Sequence, residues 1–345
     1  MRKQLFYIIC FCFCLCGFSF GNGDRASHLY NPITYQTIPT YVGVSELAHP
    51  DVRYFEGGWN GYKYWMVMTP FRGDSDEENP SIVACNDGGS WEVPGGLTNP
   101  IDPDPKDAGG NPNQPHNCDT DLFYNLSSDE LWCYWIECGD GTTNLMRKKS
   151  SDGSTWGAQE IVLTGADYFI VSPAFEKVGD VYMMWYVNPG ALGSISQTNV
   201  IELRTSADGD AWSEPTTCVW DCGNWLAWHL DVIYIPELEE YAMLIAAHLK
   251  GSYGDNELMF STSSDGVNFK TYKNKLVRNS IGEWDSGLLH RGTMVYLNGL
   301  LKIWYGGMSG ANVWHCGYVE KDYELLKNDL DAFCVSFNGG VSIGL

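Results

Sequence analysis

Positive charge is scarce in this sequence: 21 lysines and arginines stand against 43 aspartates and glutamates, and the formal net charge is −22. An acidic surface repels the phosphate backbone of nucleic acids and anionic membranes. The chain also lacks long amphipathic helix patterns, and it has no apolar run of about 18 residues, the length that spans a bilayer. We therefore expect no nucleic-acid partner and no integral membrane span, while the oligomeric state stays open.

The one strongly apolar segment lies at the N-terminus, from Leu5 to Phe18, after two basic residues and before several small ones. This pattern is typical of a signal peptide, which we assign to residues 1–21, and it leaves a single domain over residues 22–345. The expected location is secreted or periplasmic. A lipid-anchored form stays open because the leader contains four cysteines, Cys10, Cys12, Cys14 and Cys16.

Cysteine pairs with the Cys-x-x-Cys spacing of zinc sites are also missing, so a structural zinc site of that type is not expected. Eight cysteines follow the leader. Export permits disulfides, and the pairs closest in sequence, Cys133 with Cys138 and Cys218 with Cys222, are the predicted bridges. The alternative is that these cysteines are free and act as small buried apolar residues.

What the sequence does contain is an internal repeat, an Asp-Gly dipeptide followed three residues later by an aromatic residue. Asp87, Asp152, Asp208 and Asp265 begin four copies at intervals of 65, 56 and 57 residues, and a degenerate fifth copy begins 57 residues later at Asp322. Asp-Gly supplies the positive φ angles of a tight hairpin turn. We therefore expect a turn at the same place in each of five units.

Two further segments recur in phase with this turn. A short strand opens each unit, as in His49-Pro50-Asp51-Val52, and an aromatic strand such as Tyr64-Trp65-Met66-Val67 follows about ten residues later. Units of four short antiparallel strands repeated five times predict an all-β fold, a five-bladed β-propeller. A β-sandwich is the competing architecture, but it does not explain five copies in phase.

In a propeller, the start of the innermost strand and the loop between the second and third strands lie on one face, and the Asp-Gly turns lie on the other. Polar residues concentrate on the first of these faces. The innermost strands contribute His49, Asp51, Asp119, Asp121, His229, Asp231, His290 and Arg291. The openings of the third strands contribute Glu78, Asn79, Asn144, Glu202, Asn256, Glu257 and Asn312.

Carboxylates that meet at one mouth are costly unless a cation or a reaction uses them. Split pKa values let one carboxyl group act as an acid and another as a base, as glycoside hydrolysis requires. Each residue also has a structural alternative, since an Asp at a strand end often only accepts backbone hydrogen bonds. Aromatic side chains near this mouth are candidate sugar platforms or core residues: Trp59, Tyr168, Trp225, Trp228, Trp284 and Trp314.

Five blades, an acidic exported chain and carboxylates on successive inner strands resemble the five-bladed glycosidases of glycoside hydrolase family 43 and related families 32, 62, 117 and 130. The resemblance implies a base, a pKa modulator and an acid on blades one to three, and Asp119 matches the modulator. Blade one has His49 at the family's Asp position, so Asp51 becomes the candidate base. Blade three has no carboxylate on its inner strand, which leaves Glu202 or Glu257 as the candidate acid.

The resulting prediction is a secreted glycosidase that acts on a plant or algal polysaccharide without a cofactor. Its expected substrate-binding residues are His49, Glu78, Asp121, His229, Asp231, His290, Arg291 and Trp228. One alternative is a glycan-binding propeller without catalysis. Another is a sialidase, since residues 150–156 are similar to an Asp-box, although Arg291 is the only basic residue among the strand starts.

A metal site is a further alternative, formed by His49, Asp51, Asp119 and His229. The carboxylates would suit a structural calcium ion at the channel, and the histidines would suit a transition metal.

Overall fold

The computed structural model of the protein describes residues 34–103, 115–139, 141–190, 198–220, 222–252, 256–277, 280 and 282–327, without the side chains of 273–275. The predicted signal peptide and its cysteines, as well as Cys334, lie outside the described residues. Among the residues described, no helix is long and apolar enough to cross a bilayer.

In the described part of the chain, nineteen strands form five sheets arranged as the blades of a propeller. Blade one consists of β1 (Leu47–Trp59), β2 (Tyr62–Pro70) and β3 (Ser81–Cys85). Blade two consists of β4 (His116–Asn125), β5 (Glu130–Gly139), β6 (Thr142–Ser150) and β7 (Glu160–Ala166). Blade three consists of β8 (Val171–Val178), β9 (Val181–Asn188), β10 (Val200–Ser206) and β11 (Thr216–Thr217).

Blade four contains β12 (Val219–Trp220), β13 (Trp225–Ile235), β14 (Glu240–Leu249), β15 (Glu257–Ser263) and β16 (Asn268–Val277). Blade five contains β17 (Leu288–Leu297), β18 (Leu300–Met308) and β19 (Trp314–Asp322). The predicted five-bladed all-β fold is therefore confirmed.

The outermost strand is the part of the blade that varies. Blades two and three have the predicted four antiparallel strands, and blade four adds β12, which pairs in parallel with β16. In blade one the fourth strand is reduced to a bridge between Ala84 and Glu92. In blade five it is replaced by the N-terminal segment, because Gln36 forms a bridge with Cys316 on β19. The first described residues thus complete the last blade.

The apolar core lies between the blades. Five clusters of buried side chains are present, and each joins residues of two neighbouring blades. The cluster between blades one and five, for example, packs Met66 and Trp91 against Trp304. Buried aromatic side chains supply most of the apolar area at such interfaces. The aromatic second strands therefore hold the ring together, and the channel at its centre is left for polar residues.

The Asp-Gly turns have the predicted positive φ angles, and they also connect the blades. In blade two, Oδ1 of Asp152 accepts the N–H groups of Ser154 and Thr155 at 2.8 and 2.6 Å, and Gly153 has φ +74°. Each turn glycine lies against a tryptophan of the preceding blade: Gly88 on Trp304, Gly153 on Trp65, Gly209 on Trp132 and Gly266 on Trp185. A side chain would overlap the indole ring most severely at Gly153, where a Cβ would lie 2.2 Å from Trp65, and only touch it at Gly88, where the distance to Trp304 is 3.4 Å.

We expect Gly153→Ala to lower the free energy of unfolding by about 2–4 kcal/mol, from the cost of a left-handed backbone and from overpacking. A Cβ at this position would lie 2.2 Å from the Trp65 ring. Urea unfolding followed by tryptophan fluorescence measures the change.

Gly179→Ala is the matched control. Gly179 also has a positive φ, +60°, but no atom lies within 4 Å of its Cβ position. Only the backbone cost, about 1–2 kcal/mol, should appear there. Equal losses in the two variants would contradict the role of the glycine–tryptophan contact.

Strand register confirms that the turns and the polar strand starts lie on opposite faces. In blade two, His116 at the start of β4 pairs with Cys138, which in turn pairs with Thr143 near the start of β6. The other end of the same strands leads to Ser150 and the Asp152 turn. The candidate site therefore lies on the face away from the repeat that defines the blades.

Candidate functional site

A cavity of about 260 Å³ opens at the channel mouth where the inner strands begin. All five blades contribute residues to its wall. Its lining residues are His49, Glu78, His116, Cys118, Asp119, Ile136, Cys138, Tyr168, Val171, Trp228, His229 and His290. A cavity of this size can hold a small molecule or one end of a larger one.

The innermost strand of every blade has an irregular register at this mouth. In β1 the irregularity falls between Ala48 and Asp51, and the other four inner strands have it at the corresponding place. His49 and Asp119 adopt positive φ angles of 49° within these irregular segments. A bulge redirects side chains, and strained backbone of this kind is concentrated at functional sites. The bulges therefore turn His49 and Asp119 into the cavity.

Asp119 lies at the centre of the polar cluster. Its Oδ1 atom is 3.0 Å from Nε2 of His49 and 3.2 Å from Nδ1 of His229. Its Oδ2 atom accepts the N–H of Ser172 at 2.9 Å, which fixes the carboxylate across the junction of blades two and three. Nδ1 of His49 is held 2.9 Å from the hydroxyl of Thr69. Both rings are thus oriented toward one carboxylate oxygen.

His290 completes a set of three imidazoles. Its ring centroid is 4.0 Å from that of His229 and 4.9 Å from that of His49. Within the described part of the chain, two buried atoms of this set make no hydrogen bond: His229 Nε2 and His290 Nδ1. Buried polar atoms normally have partners. One ligand atom from each histidine lies within 4.8 Å of the others, an arrangement that fits a transition-metal cation.

The electrostatics of the cluster favour neutral rings at His229 and His290 beside an ionised carboxylate. Burial lowers the pKa of His229 to about 4, and burial together with the neighbouring His229 and His49 lowers the pKa of His290. Burial alone would raise the pKa of Asp119, but His229 and His49 hold it well below its usual value. Neutral imidazoles have the free electron pairs that metal coordination requires.

Glu78 adds a titratable carboxyl group to the same cavity. It follows a 3-10 turn, Ser75–Glu77, in the connection from β2 to β3, and its side chain is buried. Burial raises its pKa to about 7, partly offset by His49 and His116. A group with this pKa is half protonated at neutral pH and can both accept and donate a proton.

Three of the sequence-predicted carboxylates lie deeper in the channel and connect blades. Asp51 accepts hydrogen bonds from the N–H of Leu122 and the hydroxyl of Thr293, both at 2.8 Å. Asp231 accepts the N–H of Met294 at 2.9 Å. Asp121 forms an ion pair with Arg291, whose Nη2 is 2.8 Å away.

Burial and mutual repulsion act on these carboxylates. Burial, then the charge of Asp51, raises the pKa of Asp231 to about 7 and that of Asp121 well above its usual value. The guanidinium of Arg291, itself fully buried, supplies positive charge among them. A structural calcium ion at the channel stays a prediction.

The two candidate acids lie on third strands, and neither lines the cavity. Glu202 on β10 accepts hydrogen bonds from the hydroxyl of Tyr186 at 2.7 Å and from Asn188 at 3.2 Å. Glu257 is half-buried at the start of β15, opposite Ala247. The structure instead places Glu78 in the same cavity as Asp119.

Sequence reasoning missed His116, Cys118 and Cys138 as cavity residues. The available signal was alternation along the strand, since His116 and Cys118 are two residues apart immediately before Asp119. Trp228, predicted to bind substrate, does line the cavity, where its ring lies edge-on to His229 at a centroid distance of 5.6 Å.

Both predicted disulfides are wrong, since neither Cys133 with Cys138 nor Cys218 with Cys222 forms a bridge. Cys133 and Cys138 pack in different core clusters, because an odd spacing along β5 places them on opposite faces. Cys218 instead contacts the carbonyl of Gly266, and Cys222 contacts the sulfur of Met259.

Solved structures of other proteins share this fold. A thermostable family-43 glycoside hydrolase superposes with a TM-score of 0.60 at 12% sequence identity, over 83% of this chain and 92% of that one. The chain has the five-bladed fold of the propeller glycoside hydrolases. At this level of identity the likeness concerns the fold alone, and it confirms the resemblance seen in the sequence. No model of a known protein family matches the chain.

A closer likeness connects this propeller with a different activity. The chain is 31% identical, over 86% of its length, to a protein of Flavonifractor plautii named A type blood N-acetyl-α-D-galactosamine deacetylase. It spans about half the length of that relative, 48%. A crystal structure of an N-acetylgalactosamine deacetylase from F. plautii, in complex with blood group B trisaccharide, superposes with a TM-score of 0.81 at 28% identity. That superposition covers 87% of this propeller and 97% of the other chain.

Proposed function

We propose that this protein is a carbohydrate-active hydrolase that removes the acetyl group from an N-acetylated sugar of a glycan. The observation that carries the proposal is a cluster of three imidazoles, two of which contact the Asp119 carboxylate, in a chain 31% identical to a protein named as a deacetylase. A histidine-rich centre suits amide hydrolysis aided by a cation, whereas glycoside hydrolysis depends on two carboxyl groups.

The residues that would hold a divalent cation are His49, His229 and His290, together with Oδ1 of Asp119. When bound, the cation would supply Lewis-acid polarisation of the acetyl carbonyl group. Trp228 offers an apolar face on which a sugar ring can stack. The cavity is large enough for the terminal residue of a glycan, so the proposed substrate is an N-acetylated sugar at a chain end.

Glu78 is the proposed proton carrier. Hydrolysis adds the oxygen of water to the acetyl carbonyl carbon, the carbon–nitrogen bond breaks, and the products are acetate and an amine. A proton leaves the water and a proton reaches the nitrogen. Since the pKa of Glu78 is about 7, its carboxylate can take the first proton and return it to the leaving amine.

Glycoside hydrolysis is the second candidate, and one observation favours it. Asp119 is held ionised while burial raises the pKa of Glu78 to about 7, and pKa values pushed apart in this way are typical of the acid and base of a glycosidase. If the protein is a glycosidase, Glu78 would be the catalytic acid, and the substrate would be a plant or algal polysaccharide. The assignment from the sequence, with Asp51 as base, Asp119 as pKa modulator and Glu202 or Glu257 as acid, also stays a prediction.

A panel experiment separates these functions. The purified chain is incubated, with and without added Zn²⁺, with an oligosaccharide ending in N-acetylgalactosamine and with the matched oligosaccharide ending in galactose. Mass spectrometry should show loss of one acetyl group from the first substrate, with every glycosidic bond intact. Release of free sugar would instead establish a glycosidase. Binding of the oligosaccharide with neither product would establish a glycan-binding protein.

The pH profile of kcat/KM distinguishes the two roles of Glu78. As the base of a deacetylase it must be ionised, so we expect activity to rise with pH through about 7 and then to level off. As the acid of a glycosidase it must be protonated, and activity would fall through the same range. The neighbours that face Glu78 are His49, His116, Asp119 and Cys138.

Glu78→Gln should lower kcat/KM by about 10²–10⁴-fold and abolish the change in activity near pH 7. Titration of His229, whose pKa is about 4, would change the activity only well below this range. If the glutamine variant keeps the change in activity near pH 7, that change belongs to another group.

A further inference from the structure

A second group of metal-binding side chains lines the cavity on blade two. His116 and Cys118 lie two residues apart on β4, and Cys138 on β5 pairs directly with His116. The sulfur atoms of Cys118 and Cys138 are 3.7 Å apart, and Cys138 Sγ is 3.3 Å from Nε2 of His116. The two cysteines are buried, and all three residues contribute to the cavity wall.

Two of the three distances between these atoms match the edges of a tetrahedral zinc site, and the three ligand atoms all lie within 4.8 Å of one another. Zinc lies about 2.3 Å from thiolate sulfur and about 2.0–2.1 Å from imidazole nitrogen, so tetrahedral angles place two sulfurs about 3.8 Å apart and a sulfur and a nitrogen about 3.6 Å apart. The observed 3.7 and 3.3 Å are within a few tenths of an ångström of these values. The Cys138 sulfur is thus already at close to its bound separation from each of the other two ligands.

The chemistry of the three ligands selects the same metal. Thiolate and imidazole ligands prefer zinc over calcium or magnesium. Two thiolates and one neutral imidazole around Zn²⁺ have no net charge, so the occupied site can be buried at low cost. Three protein ligands leave a fourth position, and here it faces the cavity. Open fourth positions are typical of zinc that exchanges ligands, whereas structural zinc has four protein ligands.

We propose that His116, Cys118 and Cys138 form a zinc site with an open position on the cavity wall, separate from the cluster around Asp119. The site does not depend on the deacetylase proposal, because it rests on blade-two ligands alone. Its sulfur ligands also distinguish it spectroscopically, since the Asp119 cluster offers only nitrogen and oxygen atoms.

Cobalt titration tests the proposal. The full chain is purified with a reductant, stripped with a chelator and titrated with Co²⁺, which reports thiolate ligands through a near-ultraviolet charge-transfer band. We expect this band to saturate at one equivalent and to disappear when Zn²⁺ is added. It should be absent in Cys118→Ala and Cys138→Ala, and His116→Ala should weaken Co²⁺ binding at least about 10-fold.

Cys133→Ala is the matched control, because Cys133 is a buried cysteine on the same strand whose sulfur packs in a different cluster. It should keep the band unchanged. The proposal is overturned if the reduced native chain shows no thiolate band, or if the band survives in Cys138→Ala. A Cys118–Cys138 disulfide that persists under reductant would overturn it as well. The native chain alone decides the first and third outcomes, even if a variant fails to fold.

Discussion

Asp119→Asn is expected to lower kcat/KM for the glycan substrate by about 10³-fold while leaving the fold intact. Asparagine keeps an oxygen that can accept the N–H of Ser172, so the junction of blades two and three is preserved. It removes the negative charge that lies 3.0 Å from His49 and 3.2 Å from His229. Both candidate hydrolytic functions need that charge, and steady-state kinetics on the substrate found in the panel measures its loss.

Asp208→Asn provides the matched control for this charge removal. Asp208 belongs to the Asp-Gly turn of blade three, where its Oδ1 accepts two backbone N–H groups at 2.9 Å on the opposite face of the propeller. Its replacement should leave kcat/KM unchanged. A loss below about 10-fold in Asp119→Asn, with unchanged melting temperature, would remove Asp119 from the proposed site.

Arg291→Met should lower the free energy of unfolding by about 3–5 kcal/mol, because it leaves buried carboxylates without their nearest cation. Arg291 is fully buried and donates to Asp121 at 2.8 Å and to the carbonyl of Pro173 at 2.9 Å. Without it, Arg53 is the remaining cation that acts on Asp121 and Asp231. Urea unfolding at neutral pH followed by tryptophan fluorescence gives the value.

The loss should shrink as pH falls, since protonation of the carboxylates removes the unpaired charge. Burial already raises the pKa of Asp231 to about 7 and that of Asp121 well above its usual value, so protonation begins under mild conditions. Arg72→Met is the control: this exposed arginine pairs with Glu77, and its loss should leave the free energy of unfolding nearly unchanged. Similar losses in both variants would contradict a stabilising role for the channel ion pair.

The fold followed from the sequence because its signals are local and repeated. Asp-Gly turns at intervals of 56 to 65 residues defined the number of blades, and the strand register agrees with the predicted faces. The contact of each turn glycine with a tryptophan of the preceding blade was not predicted, because it joins residues such as Gly88 and Trp304 that are 216 positions apart.

The site was harder to predict, for a physical reason found in the inner strands. Regular alternation would place His49 and Asp51 on one side of β1, but the bulge between Ala48 and Asp51 interrupts that alternation. The structure places His49 in the cavity, whereas Asp51 binds a backbone N–H of blade two. The position of the Glu78 side chain depends on the shape of the loop between β2 and β3, and no sequence repeat determines that shape. Contacts of this kind become visible only in three dimensions.

The glycine–tryptophan contacts also have a consequence for the order in which the molecule folds. Three of them join blades that are neighbours along the chain, so they can form as each blade is completed. The contact of Gly88 with Trp304, and the bridge from Gln36 to Cys316, join the two ends. Closing so long a segment is entropically expensive, and such contacts form late. The mouth that holds His49 from blade one and His290 from blade five is therefore completed only at the final step of folding.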